Sequence, residues 1–220
     1  MTSNPEMATP SVEDIIERNK QYAETVHQPR PTLLAMCNND MKRYGPHLLV
    51  GRSRRTRIPR LSARVHTILT TAVACLDYQC NPYNVLGLKP YECAVIRNVS
   101  GRFHTAAAEI AALDTAFHLE RIIVLHRSNC GATHITKQDV LDKVRQDRPD
   151  FDAVGGIQLA GLEVQLPVRE DNPLALREDL KAAKMCGFIR KELLNSVVGL
   201  YLDVDSGLVK RIHPATDNML

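Results

Sequence analysis

The sequence predicts an α/β fold in which a mainly parallel sheet is flanked by helices. From residue 68 onward, short apolar runs alternate with stretches of helical periodicity, a pattern typical of parallel strands joined by crossover helices. The chain has 220 residues, of which 44% are hydrophobic and 24% are charged, close to the averages for globular proteins. We therefore expect a substantial hydrophobic core.

The predicted strands are the short apolar runs at 70–75, 93–97, 121–126 and 197–204. The turn residues Asp205-Ser206-Gly207 then predict a hairpin that leads into a short strand at 208–212. Only this last strand follows a tight turn, so we expect it to be antiparallel to its neighbour.

Two long helices are predicted in the same part of the chain. Residues 104–118 place apolar side chains on one face, and they lie between the second and third strands. A second helix is predicted over 172–195, with Asn172 as its N-cap and Pro173 as its first helical residue, where a missing N–H does no harm.

The N-terminal part combines a polar start with one amphipathic helix. Residues 1–10 are polar and are predicted to be disordered, and residues 11–220 are predicted to form a single domain. A helix is predicted over 12–25, because Ser11 and Asp14 have the spacing of a capping box. Its apolar stripe must pack on another surface.

Composition excludes several classes of function. Between Lys42 and Arg60 the chain has seven Lys or Arg residues and no acid, but no aromatic-rich basic surface accompanies them, and we expect a solvated basic loop within an insertion at about 30–66. The net charge of +3 argues against a nucleic-acid partner, and short apolar runs argue against a membrane partner. Cysteine usage and the N-terminus predict reduced thiols in the cytoplasm.

Two cysteines follow predicted strands. Cys75 ends the first strand, and Cys130 lies four residues beyond the third. Sites in open α/β sheets gather outside the carboxyl ends of strands, so two thiols there suggest a metal site, with small buried structural cysteines as the alternative. Cys37 also follows an apolar run, but it lacks the neighbouring motifs, and we expect it to be structural.

The motifs around Cys75 and Cys130 resemble those of the β-class carbonic anhydrases. The run CLD at 75–77 matches the start of the family's C-x-D-x-R motif, and LGLK at 86–89 and IRN at 96–98 match the motifs that follow it. The run IIVLHRSNCG at 122–131 resembles the family's strand that leads into H-x-x-C-G. The resemblance covers about residues 70–213.

The resemblance implies a β-carbonic-anhydrase-like central sheet with a parallel core, flanking helices and an N-terminal helical arm formed by 12–25. It also implies zinc as cofactor, held by Cys75, Cys130 and a histidine, and a lyase activity on a small molecule. The implied assembly is a homodimer or a higher homo-oligomer in which 12–25 lies on the partner subunit.

The chain departs from the family pattern at two positions of the implied site. Position 79 has Gln79 where the family has arginine, and position 127 has Arg127 where the family has the zinc histidine. Arginine has no lone pair for a metal, and its charge would repel Zn²⁺. His126 is one residue early and faces the other side of the strand unless the strand bulges or ends sooner, and His134 is the other nearby imidazole.

These departures leave the role of Asp77 open. An amide at Gln79 offers a weaker restraint than a bidentate arginine, so we expect Asp77 to be freed to act as a zinc ligand or as a general base, or else to cap the following turn. The predicted catalytic residues are Asp77, Arg127 and Gln79. The predicted metal ligands are Cys75, Cys130 and His126, and the predicted substrate-binding residues are Ser128, Asn129 and Gly131.

Three functions fit this pattern. The favoured hypothesis is an enzyme with a degenerate zinc site, which holds either zinc or no metal. This enzyme carries out a lyase, hydratase or cyclase reaction on a small organic acid or other anion. In it, Arg127 binds the anion and lowers the pKa of a neighbouring thiol. The alternatives are a zinc-dependent carbonic anhydrase or carbonyl sulfide hydrolase with a displaced histidine ligand, and a catalytically inactive protein that keeps the fold.

Overall fold

The computed structural model describes residues 10–27, 69–88, 92–150 and 172–214. The predicted insertion with its basic loop, Cys37 and nearly all of the predicted disordered start lie outside the described residues. Within the four described ranges, no helix is both long enough and apolar enough to cross a membrane.

The described residues form one five-stranded sheet. Its strands are β1 (Thr70–Cys75), β2 (Cys93–Asn98), β3 (Arg121–Arg127), β4 (Val197–Leu202) and β5 (Val209–Ile212). The order across the sheet is β2-β1-β3-β4-β5. The first four strands pair in parallel, and β5 pairs antiparallel with β4. The predicted α/β class and parallel core are therefore confirmed.

The helices are α1 (Val12–Thr25), α2 (Pro82–Val85), α3 (Phe103–Phe117), α4 (Lys137–Asp147), α5 (Asn172–Met185) and α6 (Lys191–Asn195). The predicted capping box of α1 is present: the Ser11 hydroxyl accepts from the Asp14 N–H, and the Asp14 carboxylate accepts from the Ser11 N–H.

The expectation that 12–25 lies on a partner subunit is wrong, because α1 packs on its own chain. Ile15 is buried in the same core as Leu125, and the Asn19 amide donates to the carbonyls of Val85 and Gly207 at 2.8 and 2.9 Å.

The prediction of one continuous helix over 172–195 is wrong. The helix ends at Met185, and the chain resumes helical structure only at Lys191. The Cys186 N–H bonds to the Ala183 carbonyl three residues back, which tightens the last turn, and Gly187 follows. Glycine costs about 1 kcal/mol relative to alanine inside a helix, which favours a break at this position.

Alternate residues of β3 face two different cores. Ile123 and Leu125 pack in the core that contains residues of α1, whereas Ile122 and Val124 pack in the core that contains residues of α3 and α5. Because side chains alternate along a strand, the two residues that end β3 also point to opposite faces of the sheet. This alternation decides which of them reaches the candidate site.

The strand order creates a crevice between β1 and β3. The chain leaves β1 for β2 on one side of it, and then returns to β3 on the other side. At such a change of direction the connections diverge, leaving space beyond the carboxyl ends of the two central strands. Cys75 ends β1 at this edge, and the segment after β3 carries Cys130 to the same edge.

Candidate active site at the ends of β1 and β3

A cavity of about 210 Å³ opens at the carboxyl ends of β1 and β3. Its lining combines chemically active side chains with an apolar rim. The polar and thiol side chains in the lining are Cys75, Asp77, Ser100, Arg127 and Cys130. Four aliphatic side chains, those of Leu76, Val99, Ala132 and Ile135, complete most of the wall. This volume admits a small molecule rather than a polymer segment.

Cys75 and Cys130 lie side by side in this cavity. Their sulfur atoms are 3.8 Å apart, within the roughly 3.5–4 Å that two sulfurs around one metal or in a close pair would show. The predicted proximity of the two thiols is therefore confirmed. Both residues are buried, with 6% of Cys75 and 1% of Cys130 exposed.

The two thiols differ in their affinity for a proton. The two sulfurs share a hydrogen bond in which either thiol could donate. With Cys130 as the donor, this bond lowers the pKa of Cys75 against the opposing effect of burial. Backbone N–H groups at Asp77 and Ser100 and the charge of Arg127 act in the same direction. The same sulfur–sulfur bond raises the pKa of Cys130, because that thiol keeps the shared proton.

Arg97 holds the backbone at and after Cys75 in place through hydrogen bonds. Its guanidinium donates to the Cys75 carbonyl at 2.9 and 3.1 Å, and also to the Asp77 carbonyl. Arg97 thus satisfies backbone oxygens beyond the end of β1 and leaves the side chains of Cys75 and Asp77 directed at the cavity. In the sequence, Arg97 stands out only as part of the IRN motif.

The loop 99–101 closes on the end of β1 because Gly101 lacks a side chain. The residue has φ of +76°, and a Cβ there would lie 2.8 Å from the Cys75 nitrogen and 2.9 Å from the Ala74 carbonyl carbon. Glycine is the residue that tolerates both conditions. This close approach brings Ser100, itself at φ 68°, into the cavity wall.

Arg127 and Asp77 form a buried ion pair across the cavity. An Arg127 Nη donates to an Asp77 carboxylate oxygen at 2.8 Å, and the other Nη donates to the Gln79 side-chain oxygen at 3.0 Å. The other Asp77 oxygen accepts from the Gln79 N–H at 3.0 Å, so Asp77 also caps the following turn as one alternative had it.

The prediction that Gln79 would free Asp77 is wrong. Gln79 carries no charge and cannot form an ion pair with Asp77. The guanidinium of Arg127, at the end of β3, forms that ion pair instead. Arg127 therefore corresponds to two different residues of the site that the resemblance implies. It stands where the zinc histidine would be in sequence, and it provides the charged partner of Asp77.

Two polar groups of the cavity wall have no hydrogen-bond partner within the described part of the chain. They are the Nε–H of Arg127 and the hydroxyl of Ser100, and both residues are 1% exposed. Buried polar groups are nearly always satisfied. Both residues line the cavity, but the two unpartnered atoms are themselves buried, so a ligand in the cavity reaches them only when these side chains turn toward it. Ser100 was not among the predicted site residues, and its only signal in the sequence is its place between the IRN motif and Gly101.

His126 lies away from the cysteines, on the opposite face of the sheet. Its Nε2 is 2.9 Å from one Asp179 oxygen, and Arg102 Nε donates to the other at 3.1 Å. All three side chains are buried. Because β3 runs regularly to Arg127, with neither a bulge nor an earlier end, alternation directs His126 toward α5. His126 is therefore not placed to share a metal with Cys75 and Cys130.

The other predicted site residues divide between the cavity and its surroundings. Gly131 lines the cavity. The Ser128 hydroxyl instead accepts from the Val204 N–H at 2.9 Å, and Asn129 is an exposed residue that turns the chain with φ of 48°. His134 is exposed at the end of a short 3₁₀ turn and is not part of the cavity wall.

The donor set does not fit zinc. Among the described residues, no group of three or more His, Cys, Asp or Glu side chains is placed to hold a metal ion. Cys75 and Cys130 supply two sulfurs, but the neighbouring carboxylate of Asp77 is engaged by Arg127. A guanidinium beside the thiols offers no lone pair and disfavours a divalent cation.

No family model and no curated protein matches the sequence. Solved structures do match. The chain is similar to the carbonic anhydrase from Glaciozyma antarctica, with 20% identity and a TM-score of 0.57, over 67% of this chain and 83% of that one. It is similar to the carbonic anhydrase from Streptococcus mutans, with 19% identity and a TM-score of 0.54, over 94% and 100%. The apo form of carbon disulfide hydrolase shares 16% identity with a TM-score of 0.51, over 69% and 82%.

These similarities show the fold. The chain has the α/β fold of the β-carbonic anhydrases, which confirms at the level of architecture the resemblance carried by the motifs at 75–98 and 122–131. Carbon disulfide hydrolase has the same fold, and one fold hosts several chemistries. The reaction therefore depends on the side chains of the cavity and not on the fold alone.

Proposed function

We propose that this chain is an enzyme on the β-carbonic anhydrase fold that acts on a small carboxylate or other anion without a zinc ion between Cys75 and Cys130. The proposed reaction class is a lyase, hydratase or cyclase reaction. The observation that carries the proposal is the buried guanidinium of Arg127, which lies in the cavity beside both thiols and pairs with Asp77.

Two donors that lack partners support anion binding. After a small rotation of each side chain, a carboxylate in the cavity would accept from the Arg127 Nε–H and from the Ser100 hydroxyl, which are buried without partners among the described residues. Leaving such a group unsatisfied costs about 1–3 kcal/mol, and hydrogen bonds to a charged partner are stronger than neutral ones. In this proposal Arg127 and Ser100 contact the substrate, while Asp77 and Gln79 act as positioning residues that orient the guanidinium.

Proton transfer is assigned to Cys75. The hydrogen bond from Cys130 lowers the pKa of Cys75 and so favours the thiolate, and Cys75 lines the same cavity as Arg127 and Ser100. A thiolate there can take a proton from a substrate carbon or from an attacking water molecule and return it to the product. The Gly131 backbone at the cavity wall completes the set of residues proposed to surround the substrate.

A binding experiment tests the anion site. We expect millimolar acetate, malonate or fumarate to raise the melting temperature of the wild type by several degrees. Asp77→Asn combined with Arg127→Met removes the cavity ion pair without leaving a lone buried charge, and it should abolish the shift. The exposed pair of Arg148 and Asp150 provides the matched control, Arg148→Met with Asp150→Asn, which should respond like the wild type.

Turnover is then sought with each acid that binds. Proton NMR in D₂O should show deuterium exchange or product formation with the wild type and none with Cys75→Ala. An equal melting shift in the cavity double variant and in the wild type would contradict the anion site. Binding without turnover of any tested acid would favour the inactive-protein alternative.

Metal content separates this proposal from a zinc-dependent carbonic anhydrase. Arg127→His adds a neutral nitrogen donor beside two sulfurs and removes a positive charge, so we expect it to raise zinc binding toward one ion per chain. Adding Gln79→Arg should then give Asp77 a charged partner and leave an open zinc position for water. Stoichiometric zinc together with rapid hydration of carbon dioxide in the wild type would overturn the proposal.

A further inference from the structure

Cys75 and Cys130 are placed to react with each other as well as with a substrate. They come from segments that follow neighbouring strands, and their sulfurs are 3.8 Å apart. A disulfide needs an S–S distance of about 2.05 Å, so each sulfur would have to move by roughly 0.9 Å. Such a movement is on the scale of a side-chain rotation.

The cavity lies against both thiols and is large enough for a small reagent. Cys75 and Cys130 both line the space of about 210 Å³, which exceeds the roughly 30 Å³ that one water molecule occupies in the liquid. Hydrogen peroxide is only slightly larger than water. The arrangement differs from that of Cys80, which is fully buried, donates to the Leu125 carbonyl at 3.8 Å and does not line the cavity.

The surroundings distinguish an attacking sulfur from a resolving one. Cys75 receives the Cys130 S–H and backbone N–H groups, and the Arg127 charge is close, all of which favour a thiolate. Cys130 keeps its proton and sits beside the sulfur that would be oxidised first. Burial instead raises the pKa of Cys80 to about 12, which keeps that thiol protonated.

We propose that Cys75 and Cys130 form a redox-active dithiol that a small peroxide converts to a disulfide through a sulfenic acid on Cys75. The Cys75 thiolate attacks one peroxide oxygen and breaks the O–O bond, which yields Cys75–SOH and, after protonation, one water. The Cys130 sulfur then attacks the Cys75 sulfur and displaces the hydroxyl as a second water. Each sulfur loses one electron and the peroxide gains two.

The disulfide would switch off the cavity chemistry. It removes the Cys75 thiolate that the proposed function uses for proton transfer, so turnover should stop on oxidation and return with a dithiol reductant. This consequence rests on the proposed function. The disulfide itself does not, because it can be measured without any substrate.

Mass spectrometry of the full-length protein tests the disulfide directly. After treatment with stoichiometric hydrogen peroxide, we expect a peptide pair joined between Cys75 and Cys130, and dithiothreitol should reverse it. Cys130→Ala should stop at a Cys75 sulfenic acid that dimedone traps. Cys75→Ala should leave Cys130 reduced, and the control Cys186→Ala, at the half-buried residue after α5, should behave like the wild type.

The pH dependence of alkylation measures the asymmetry of the pair. Iodoacetamide reacts with thiolates, so the midpoint of the modification of Cys75 should lie below the pH of about 8.5 at which an ordinary thiol is half ionised. Cys130→Ala removes the donating S–H and should move the midpoint upward. An unchanged midpoint would overturn the assignment of Cys130 as donor to Cys75.

Three results would overturn the dithiol proposal. One is oxidation of Cys75 to sulfinic acid in the wild type with no disulfide, and another is a disulfide that joins Cys75 to a different cysteine. The third is a stoichiometric zinc ion that protects both thiols from peroxide. Formation of the disulfide in a protein that binds no carboxylate would instead refute the proposed function alone.

Discussion

The last two residues of β3 each pair with a buried carboxylate, but on opposite faces of the sheet. His126 and Arg102 pair with Asp179 of α5, and Arg127 pairs with Asp77 at the cavity. The first network is enclosed by packed helices, whereas the second borders a space that a small molecule can enter. Two consecutive residues of one strand thus have different surroundings: His126 lies in a packed core, and Arg127 lies in the wall of the cavity.

The enclosed network satisfies its carboxylate. Both oxygens of Asp179 have partners, at 2.9 Å on His126 and 3.1 Å on Arg102, and the residue is fully buried. Each network nevertheless has buried nitrogens without a partner among the described residues: Arg127 Nε at the cavity, and His126 Nδ1 and one Arg102 Nη in the enclosed network. The two networks therefore differ in their surroundings, since Asp77 and Arg127 belong to the wall of a cavity that a small molecule can enter, whereas His126, Arg102 and Asp179 do not line it.

The largest expected effect comes from breaking the enclosed network. Asp179→Asn keeps the shape of the side chain but removes the negative charge between Arg102 and His126. Removing one partner of a buried pair costs about 3–5 kcal/mol, because an uncompensated charge remains buried. Urea unfolding should show this loss in the free energy of unfolding. A loss below about 1 kcal/mol would contradict the structural role assigned to Asp179.

Breaking the cavity pair should cost less. Asp77→Asn leaves the guanidinium of Arg127 without its charged partner. Because Arg127 borders a space that water can enter, we expect the free energy of unfolding to fall by about 1–3 kcal/mol. The freed Nη group should at the same time strengthen the stabilisation by acetate. Urea unfolding with and without acetate measures both effects. An acetate effect smaller than that of the wild type would show that the intact ion pair itself forms the anion site.

Much of the fold could be predicted from the sequence, because it rests on local patterns. The five strands follow apolar runs, and the capping box at Ser11 marks the start of α1. The break after Met185 was missed because the apolar periodicity continues across it while a backbone bond closes the helix early. Helix α4 was missed because its segment is mostly polar, with Val140, Leu141 and Val144 as its three apolar residues.

The site was predicted only in part, because its pairing depends on distant residues. The proximity of Cys75 and Cys130 could be predicted from two strand ends and a motif resemblance. Strand alternation also indicated that a regular strand would direct His126 to the face of the sheet opposite the cysteines, as observed. The ion pair between Asp77 and Arg127 joins positions fifty residues apart, and a local reading of Gln79 could not show it. Ser100 reaches the cavity only because Gly101 permits a close loop.

The unsatisfied serine offers a smaller and more selective change. Ser100→Ala removes a hydroxyl that has no partner within the described residues, so we expect the free energy of unfolding to stay within about 0.5 kcal/mol of the wild type. Its stabilisation by acetate should fall. The matched control is Ser128→Ala, which deletes the acceptor for the Val204 N–H and should cost about 1 kcal/mol without changing the acetate effect.

The smallest effect is expected at the rim of the enclosed network. Glu178 precedes Asp179 on α5 and lies 3.5 Å from Arg102, but its side chain is 47% exposed. Exposed ion pairs contribute about 0–1 kcal/mol, because water screens the charge and the side chain must be ordered. Glu178→Gln should therefore change the free energy of unfolding by no more than about 0.5 kcal/mol, measured beside Asp179→Asn in the same urea series. Similar losses from the two substitutions would mean that Arg102 is held by a surface pair as much as by the buried carboxylate, and the contrast between the two faces of β3 would then lose its energetic basis.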